Sequence, residues 1–482
     1  FSGASQAPLL SGCGERARSN LTMVVCRELV AINPANGLTL AHYPVLGSDQ
    51  IDTNILGCHR AHKAWQRVGF QQRAAALLQL AQKLESQRDE LAALITREMG
   101  KPLDQAAAEI EKCAWVCRDV AASGRNHLSS EEIQLDGSVA LVVPRPLGVV
   151  FAIMPWNFPF WQVFRALAPA LMVGNGLLLK GASNVPGCSQ AIAQLLTEID
   201  VPAGLLTNLP IHAEEAERVI AHPLVRAVTL TGSESAGRAV AALAGAHLKK
   251  CVLELGGQDP YIVLADADIT LAAQKCVQSR MLCSGQVCIA AKRLIVVDAI
   301  YDAFRSEVLK QLEPYLLADP TDSSCRLGPL AREDLRDLVH AQVAASIAAG
   351  CRLLIGGVIP KQPGWWYPAT VLEGVSPGTT AFDDEVFGPV VSLIRARDEE
   401  EALTLAAESR FGLGAAIFTA REDHARHLAA ERIESGSIAI NDFVKSDPRV
   451  PFGGMKDSGF GRELGRLGMQ EFVNHKSIVY PA

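Results

Sequence analysis

No Gly-x-Gly-x-x-Gly run occurs anywhere in the 482 residues, so a nucleotide site, if there is one, is built without the usual dinucleotide fingerprint. Cysteine is plentiful at 12, but paired spacing is missing. Cys113 and Cys117 stand four apart in a helical pattern with no second Cys or His pair to match, which excludes a disulfide scaffold and a zinc cluster. A reducing cytoplasm is the expected compartment. His59 and His62 are expected on a solvated helix face, and no metal site is expected. There is no basic stripe, since the formal charge is −7, which argues against a nucleic-acid partner. A membrane helix is lacking too. The longest uncharged stretch, Pro146 to Phe164, carries Pro155 and Pro159, which would break its hydrogen-bond ladder, and Asn157 and Gln162, which would sit in lipid. Phe1 to Thr22 has no apolar signal-peptide core; residues 1–22 are expected to be a leader or disordered extension, with Met23 a plausible start.

What is present is ordinary globular composition, 49% hydrophobic and 20% charged, in a chain long enough for two or three domains. From Ser48 to about Ser123 apolar residues recur three and four apart, as in Arg73 to Met99, which predicts helices. Ile133 to Leu141 alternates around Asp136-Gly137, a tight hairpin signal. From Gly148 onward short apolar strands alternate with helices, at Val149 to Ile153, Gly176 to Lys180, Cys188 to Glu198 and Ala227 to Thr231. A second such region begins near Gly257, with strands at Tyr261 to Leu264, Leu294 to Val297, Val390 to Ile394 and Ala415 to Phe418. Glu471 to Tyr480 reads as a last strand. The alternation predicts an α/β fold on parallel, helix-covered sheets.

Three short segments carry chemistry. Ser284-Gly285-Gln286-Val287-Cys288 offers a thiol in a Gly-containing turn, and Glu254-Leu255-Gly256-Gly257 offers a carboxylate. A thiolate attacks carbonyl carbon well, and a separate carboxylate could activate the water that frees the resulting acyl group. Each alone has a plainer reading, a buried core thiol and one partner of an ion pair. The third segment, Met154-Pro155-Trp156-Asn157-Phe158-Pro159, pins one amide between two prolines, and a fixed amide donor suits an oxyanion.

With Lys180, Thr231-Gly232-Ser233, Glu385-Val386-Phe387-Gly388-Pro389 and Pro451-Phe452-Gly453-Gly454-Met455-Lys456-Asp457-Ser458-Gly459 in the same order, the chain resembles the aldehyde dehydrogenase superfamily from about Asn33 to Tyr480. Within it, the Ala182-Ser183-Asn184-Val185 context, Lys249 to Glu254 and Asn441 to Phe452 are most similar to the short bacterial group that oxidises succinate semialdehyde. The resemblance implies a Rossmann-like cofactor domain (23–126 and 145–256), an α/β catalytic domain (257–456) and a small β oligomerisation element (127–144 and 457–482) that would make a homodimer or homotetramer. It implies Cys288 as nucleophile, Glu254 as base and Asn157 as oxyanion donor in NAD(P)-dependent oxidation of a small aldehyde. Trp156, Lys180, Ser183, Thr231, Gly232, Ser233, Glu385 and Phe387 would hold the cofactor. Relatives often carry Glu where Ser183 stands. Without that carboxylate to repel a 2′-phosphate, NADP is admitted beside NAD.

An acidic aldehyde needs a cation in the pocket. Arg165 matches a carboxylate-binding position of that group, or else forms a helix-surface or interface ion pair. A second arginine of many relatives is replaced by Leu282, and Arg449 could supply the charge from another loop beside Phe452, unless Asp447 holds it. The alternative substrate is a neutral aliphatic or aromatic aldehyde against Trp161, Phe164 and Leu282. A catalytically silent structural protein is the remote alternative. Cys283, five before Cys288 where relatives commonly place Asn, is either a buried unreactive thiol or half of a reversible disulfide.

Overall fold

The computed structural model describes residues 28–482; the expected extension 1–22 and Met23 lie outside the described residues. Four helices, Ser48–Trp65, Phe70–Ser86, Arg88–Met99 and Leu103–His127, occupy the N-terminal quarter. The apolar stripes of the last three, with Ala61 and Trp65 of the first, pack into one core that contains Leu77, Leu80, Ile95, Ile110 and Val116, while Ile51, Ile55 and Cys58 of the first pack into a second with Val149, Phe151 and Leu178. Among the described residues, no helix is long and apolar enough to cross a membrane.

Two sheets follow. The first runs in the order Gly459–Phe460, Lys250–Glu254, Val225–Thr231, Val149–Ile153, Gly176–Lys180, Leu206–Asn208. All neighbours are parallel except the edge pair, where Gly459 lies opposite Glu254 in antiparallel register. The chain leaves Val149–Ile153 toward one side, then crosses to Val225–Thr231 on the other, so a topological switch point opens at the carboxyl ends of these two strands. That crevice is where open α/β sheets bind ligands.

The second sheet has seven strands in the order Arg352–Ile355, Thr370–Glu373, Val390–Ala396, Arg293–Val297, Pro260–Val263, Gly414–Phe418, Ser437–Ile440, parallel but for the antiparallel edge strand Arg352–Ile355. The hairpin forms from Glu131–Leu135 and Ser138–Pro146, with Gly137 at φ 74° supplying the left-handed turn residue. The last strand, Val473–Pro481, pairs along the whole second arm. It starts later than expected because Gly465–Glu471 is helical. Ile133, Leu135, Ile478, Val479 and Tyr480 stand exposed on this three-stranded sheet.

The uncharged stretch becomes the buried strand Val149–Ile153, a loop, and the helix Trp161–Val173, every residue of which is buried. Glu109 fixes the loop's exit, since its Oε1 accepts the main-chain N–H groups of Phe160 and Trp161 at 2.9 and 3.0 Å. Lys101 pairs with the same carboxylate and lies 3.6 Å from the Phe158 ring centre. One expectation fails here. His62 is buried, not solvated, with Nδ1 2.9 Å from the Gly174 carbonyl, because the helix Ser48–Trp65 packs that face inward. No cluster of metal-ligating side chains occurs among the described residues.

Candidate active site

The helix Ile269–Met281 ends in a turn where Cys283, Ser284 and Gly285 take φ of 52°, 53° and 76° in succession. Three left-handed residues in a row persist only where the surroundings over-determine them. Here they do. The Cys283 N–H donates to Gln105 Oε1 (2.8 Å), Ser284 Oγ to the Gly328 carbonyl (2.9 Å) and Gln286 Nε2 to the Cys283 carbonyl (3.1 Å), while Gln286 Oε1 accepts the Ala331 N–H (2.9 Å). Asn157 Nδ2 donates to the Gln286 carbonyl at 2.9 Å, which sets the amide of the proline-pinned loop beside the cysteine turn.

This turn delivers Cys288 to the wall of a cavity of about 340 Å³, shared with Phe158, Trp161, Arg165, Leu282 and Phe452. Burial pushes the Cys288 thiol up to about 12, opposed by the charges of Lys292 and Arg165. Cys283 is deeper, pushed to about 11 by burial, with Sγ 3.5 Å from the Asn157 carbonyl.

Glu254 ends the strand Lys250–Glu254 and is 2% exposed, and neither carboxylate oxygen has a hydrogen-bond partner. Burial first, then the neighbouring Glu463, hold its pKa well above the usual carboxylate range, against Arg165 and Arg462. Glu463 is buried and raised as well, by burial against the charge of Arg165. A carboxyl in that state gains a proton readily, as a general base requires. Room for it comes from Gly453, where a Cβ would stand 2.7 Å from Glu254 Oε1.

The other predicted residues gather at the switch point. Gly232 N–H donates to the Glu254 carbonyl at 3.0 Å, and Ser233 caps the helix Glu234–Ala246 by accepting the Ala236 N–H (3.3 Å), so the helix N-terminus faces the crevice beside Thr231. Lys180 ends its strand half-buried, its pKa lowered by burial. Ser183 is exposed in the following loop, and the next side chain, Asn184, has both polar atoms buried without a hydrogen-bond partner. From the opposite sheet's side, Glu385 Oε1 accepts the Gly257 N–H at 3.1 Å, and Phe387 meets Trp156 edge to face at 5.8 Å. A helix N-terminus, an orphaned amide, a cation and an aromatic pair around one crevice fit a dinucleotide.

Arg165 is 2% exposed and forms an ion pair with Glu463 (Nε to Oε2, 2.6 Å) under the Phe452 ring. It therefore lines the cavity and is paired at once. Arg449 is a correction: it is absent from the cavity wall, exposed, and held bidentately by Asp447 at 2.9 and 2.6 Å, because its loop turns the side chain toward Trp115. The cation the sequence reading missed is Lys112, on the helix Leu103–His127. Its Nζ donates to Ser446 Oγ (2.9 Å) and sits 4.4 Å from the Trp161 ring centre, and no carboxylate among the described residues pairs with it. Burial, then Arg165, lower its pKa to about 8. Lys112 looks like any helix-surface lysine in sequence. Glu463, in Gly461-Arg462-Glu463, was also missed.

The aldehyde dehydrogenase family matches residues 25–478, and the chain belongs to that family. It is 44% identical to a succinate semialdehyde dehydrogenase [NAD(P)+] of Escherichia coli over 95% of this chain and 99% of that one. It is 43% identical to a succinate-semialdehyde dehydrogenase [NADP(+)] of Deinococcus radiodurans, covering 94% of each. Among solved structures, succinic semialdehyde dehydrogenase from Streptococcus pyogenes in complex with NADP+ superimposes with a TM-score of 0.92 at 35% identity, covering 94% of this chain and all of that one.

Proposed function

We propose that the protein oxidises succinate semialdehyde, or a similar short acidic aldehyde, to the carboxylic acid with NAD or NADP. The observation that carries the acidic substrate is Lys112, a cation without a carboxylate partner in the same cavity as Cys288. The relatives' names agree with it. Cys288 attacks the aldehyde carbon, and the new oxyanion accepts from the Asn157 amide, whose Nδ2 otherwise donates to the Gln286 carbonyl, together with the Cys288 main-chain N–H. A bound nicotinamide supplies the hydride acceptor. Glu254 then takes a proton from water, which cleaves the thioester on Cys288 and releases the acid. Trp156, Lys180, Ser183, Thr231, Gly232 and Ser233 would hold the cofactor at the switch point, and Glu385 and Phe387 would meet it from the side of the other sheet. Ser183 brings no negative charge to repel a 2′-phosphate, in keeping with use of either cofactor. Arg165, paired with Glu463, shapes the wall near Phe452 and adds positive potential. The exposed apolar row on the three-stranded sheet supports a homodimer or homotetramer, and the free cysteines are in keeping with a cytoplasmic enzyme.

Reduction of NAD and NADP followed at 340 nm with succinate semialdehyde beside butanal tests the reading. Much higher kcat/KM on the acid is expected; equal or better turnover of butanal would leave a general aldehyde oxidiser. Lys112→Met is expected to raise KM for the acid about tenfold or more, on the order of one charge-assisted contact, and to leave butanal unchanged. Because the Lys112 ammonium loses its proton near pH 8, KM for the acid should climb as pH passes that value while KM for butanal stays level.

A further inference from the structure

Beside Cys288 lie two buried charged groups to which the steps above give no work, Lys292 and Asp259. The Lys292 side chain is 1% exposed. Its Nζ donates to the main-chain carbonyl of Cys288 and forms an ion pair with Glu385 Oε1 at 2.8 Å, the same oxygen that accepts the Gly257 N–H. Asp259 is buried alongside, with the Gly414 main chain facing its carboxylate, and burial pushes its carboxyl up to about 7 against the charge of Lys292 and the Gly414 N–H. The two main-chain segments are in contact here, since a Cβ on Gly257 would stand 3.0 Å from the Cys288 carbonyl oxygen. An ammonium at this depth is costly to desolvate and is tolerated only where fixed partners compensate. Its partners are the main chain of the nucleophile and the Glu385 carboxylate.

We propose that Lys292 is a positioning residue that couples the two halves of the site, holding the Cys288 main chain and the Glu385 carboxylate on one ammonium. The proposal rests on the roles given above to Cys288 and Glu385. The charged groups that face the Cys288 thiol are Lys292 and Arg165, which favour the thiolate, and Glu385 and Asp259, which oppose it. Without Lys292, the larger of the two favourable charges is lost and only Arg165 is left to oppose the two carboxylates at the thiol, while Glu385 keeps only the Gly257 N–H as an anchor. Without the Glu385 charge, Asp259 is the one carboxylate left to oppose Lys292 and Arg165 at the thiol. Opposite substitutions therefore move the thiol in opposite directions, which a merely structural lysine would not produce.

The test uses the full chain without cofactor. Alkylation of Cys288 by iodoacetamide is followed from pH 6 to pH 10 by peptide mass spectrometry, which separates it from the other cysteines. Lys292→Met is expected to slow alkylation at pH 8 about tenfold, the change in thiolate fraction for a one-unit rise in pKa, and Glu385→Gln to speed it. Lys292→Met is also expected to raise KM for the cofactor severalfold more than it changes kcat. If Lys292→Met is recovered unfolded, Lys292→Gln, which keeps a donor for the Cys288 carbonyl without the charge, carries the same expectation. A profile that overlays the unsubstituted protein in a folded Lys292 variant, or Glu385→Gln moving in the same direction, would overturn the proposal. Turnover retained by Cys288→Ser would instead sink the nucleophile assignment beneath it, a failure seen separately from the alkylation profiles.

Discussion

Glu254→Gln is expected to give one equivalent of reduced cofactor per site in a rapid burst and then to stall, with steady-state kcat down by about 10²- to 10⁴-fold. The amide is nearly the same shape, so Cys288 still attacks and the hydride still leaves; what is lost is the group that takes a proton from water. The stalled protein should carry the acyl group on Cys288, visible as a mass gain on the intact chain. The unsubstituted protein should also show an acid limb in kcat. Burial and Glu463 hold the Glu254 pKa high, and only the deprotonated form can act as base, so turnover rises with pH through that raised pKa. In Glu254→Gln this limb should vanish. Turnover within about threefold of the unsubstituted protein would show that water is activated elsewhere.

Gly285→Ala is expected to abolish activity and lower stability together. At φ 76° any side chain at this position is strained, by roughly 1–2 kcal/mol for the left-handed conformation alone. The added Cβ would also stand 2.2 Å from the Gly388 carbonyl oxygen, a main-chain atom that cannot swing aside. The turn must then move, and with it Cys288 on one side and Glu385 to Pro389 on the other. Arg280, buried and donating to the carbonyls of Gly285, Val386 and Val390, ties these segments and would transmit the shift. A fall of several degrees in Tm with loss of turnover is the expected pair of results; full activity in Gly285→Ala would mean that this turn does not need its tight approach.

What could be read from the chain alone was whatever is written in consecutive residues. Cys288 and Asn157 could be singled out because each sits in a short turn whose Gly or Pro neighbours constrain the main chain locally, and Glu254 because it ends an apolar strand just before Gly256-Gly257. The strands Val149–Ile153 and Val225–Thr231 were legible for a similar reason, as short apolar runs between breakers. Direction was not. Arg449 lies only three residues from Phe452, yet its loop points it outward to Asp447, whereas Lys112 reaches Ser446 from a helix more than 300 residues upstream. Glu463 escaped notice because an acid in Arg462-Glu463 looks solvated until Arg165 and the main-chain pairing of Phe452 with Glu463 draw it in. His62 was misread in the same way, since a helix pattern does not say which of two nearby histidines meets the next layer.

Gly459–Phe460, the edge strand opposite Glu254, comes from the far end of the chain, as do Gly453 beside the carboxylate and Glu463 behind it. During synthesis, therefore, Cys288 and Glu254 leave the ribosome long before the wall that gives them their chemistry. A nascent or prematurely terminated chain holding both residues but lacking residues 453–463 would have an open sheet edge and a more exposed Glu254, so the water-activating half of the site is expected to be completed only when that segment joins the fold.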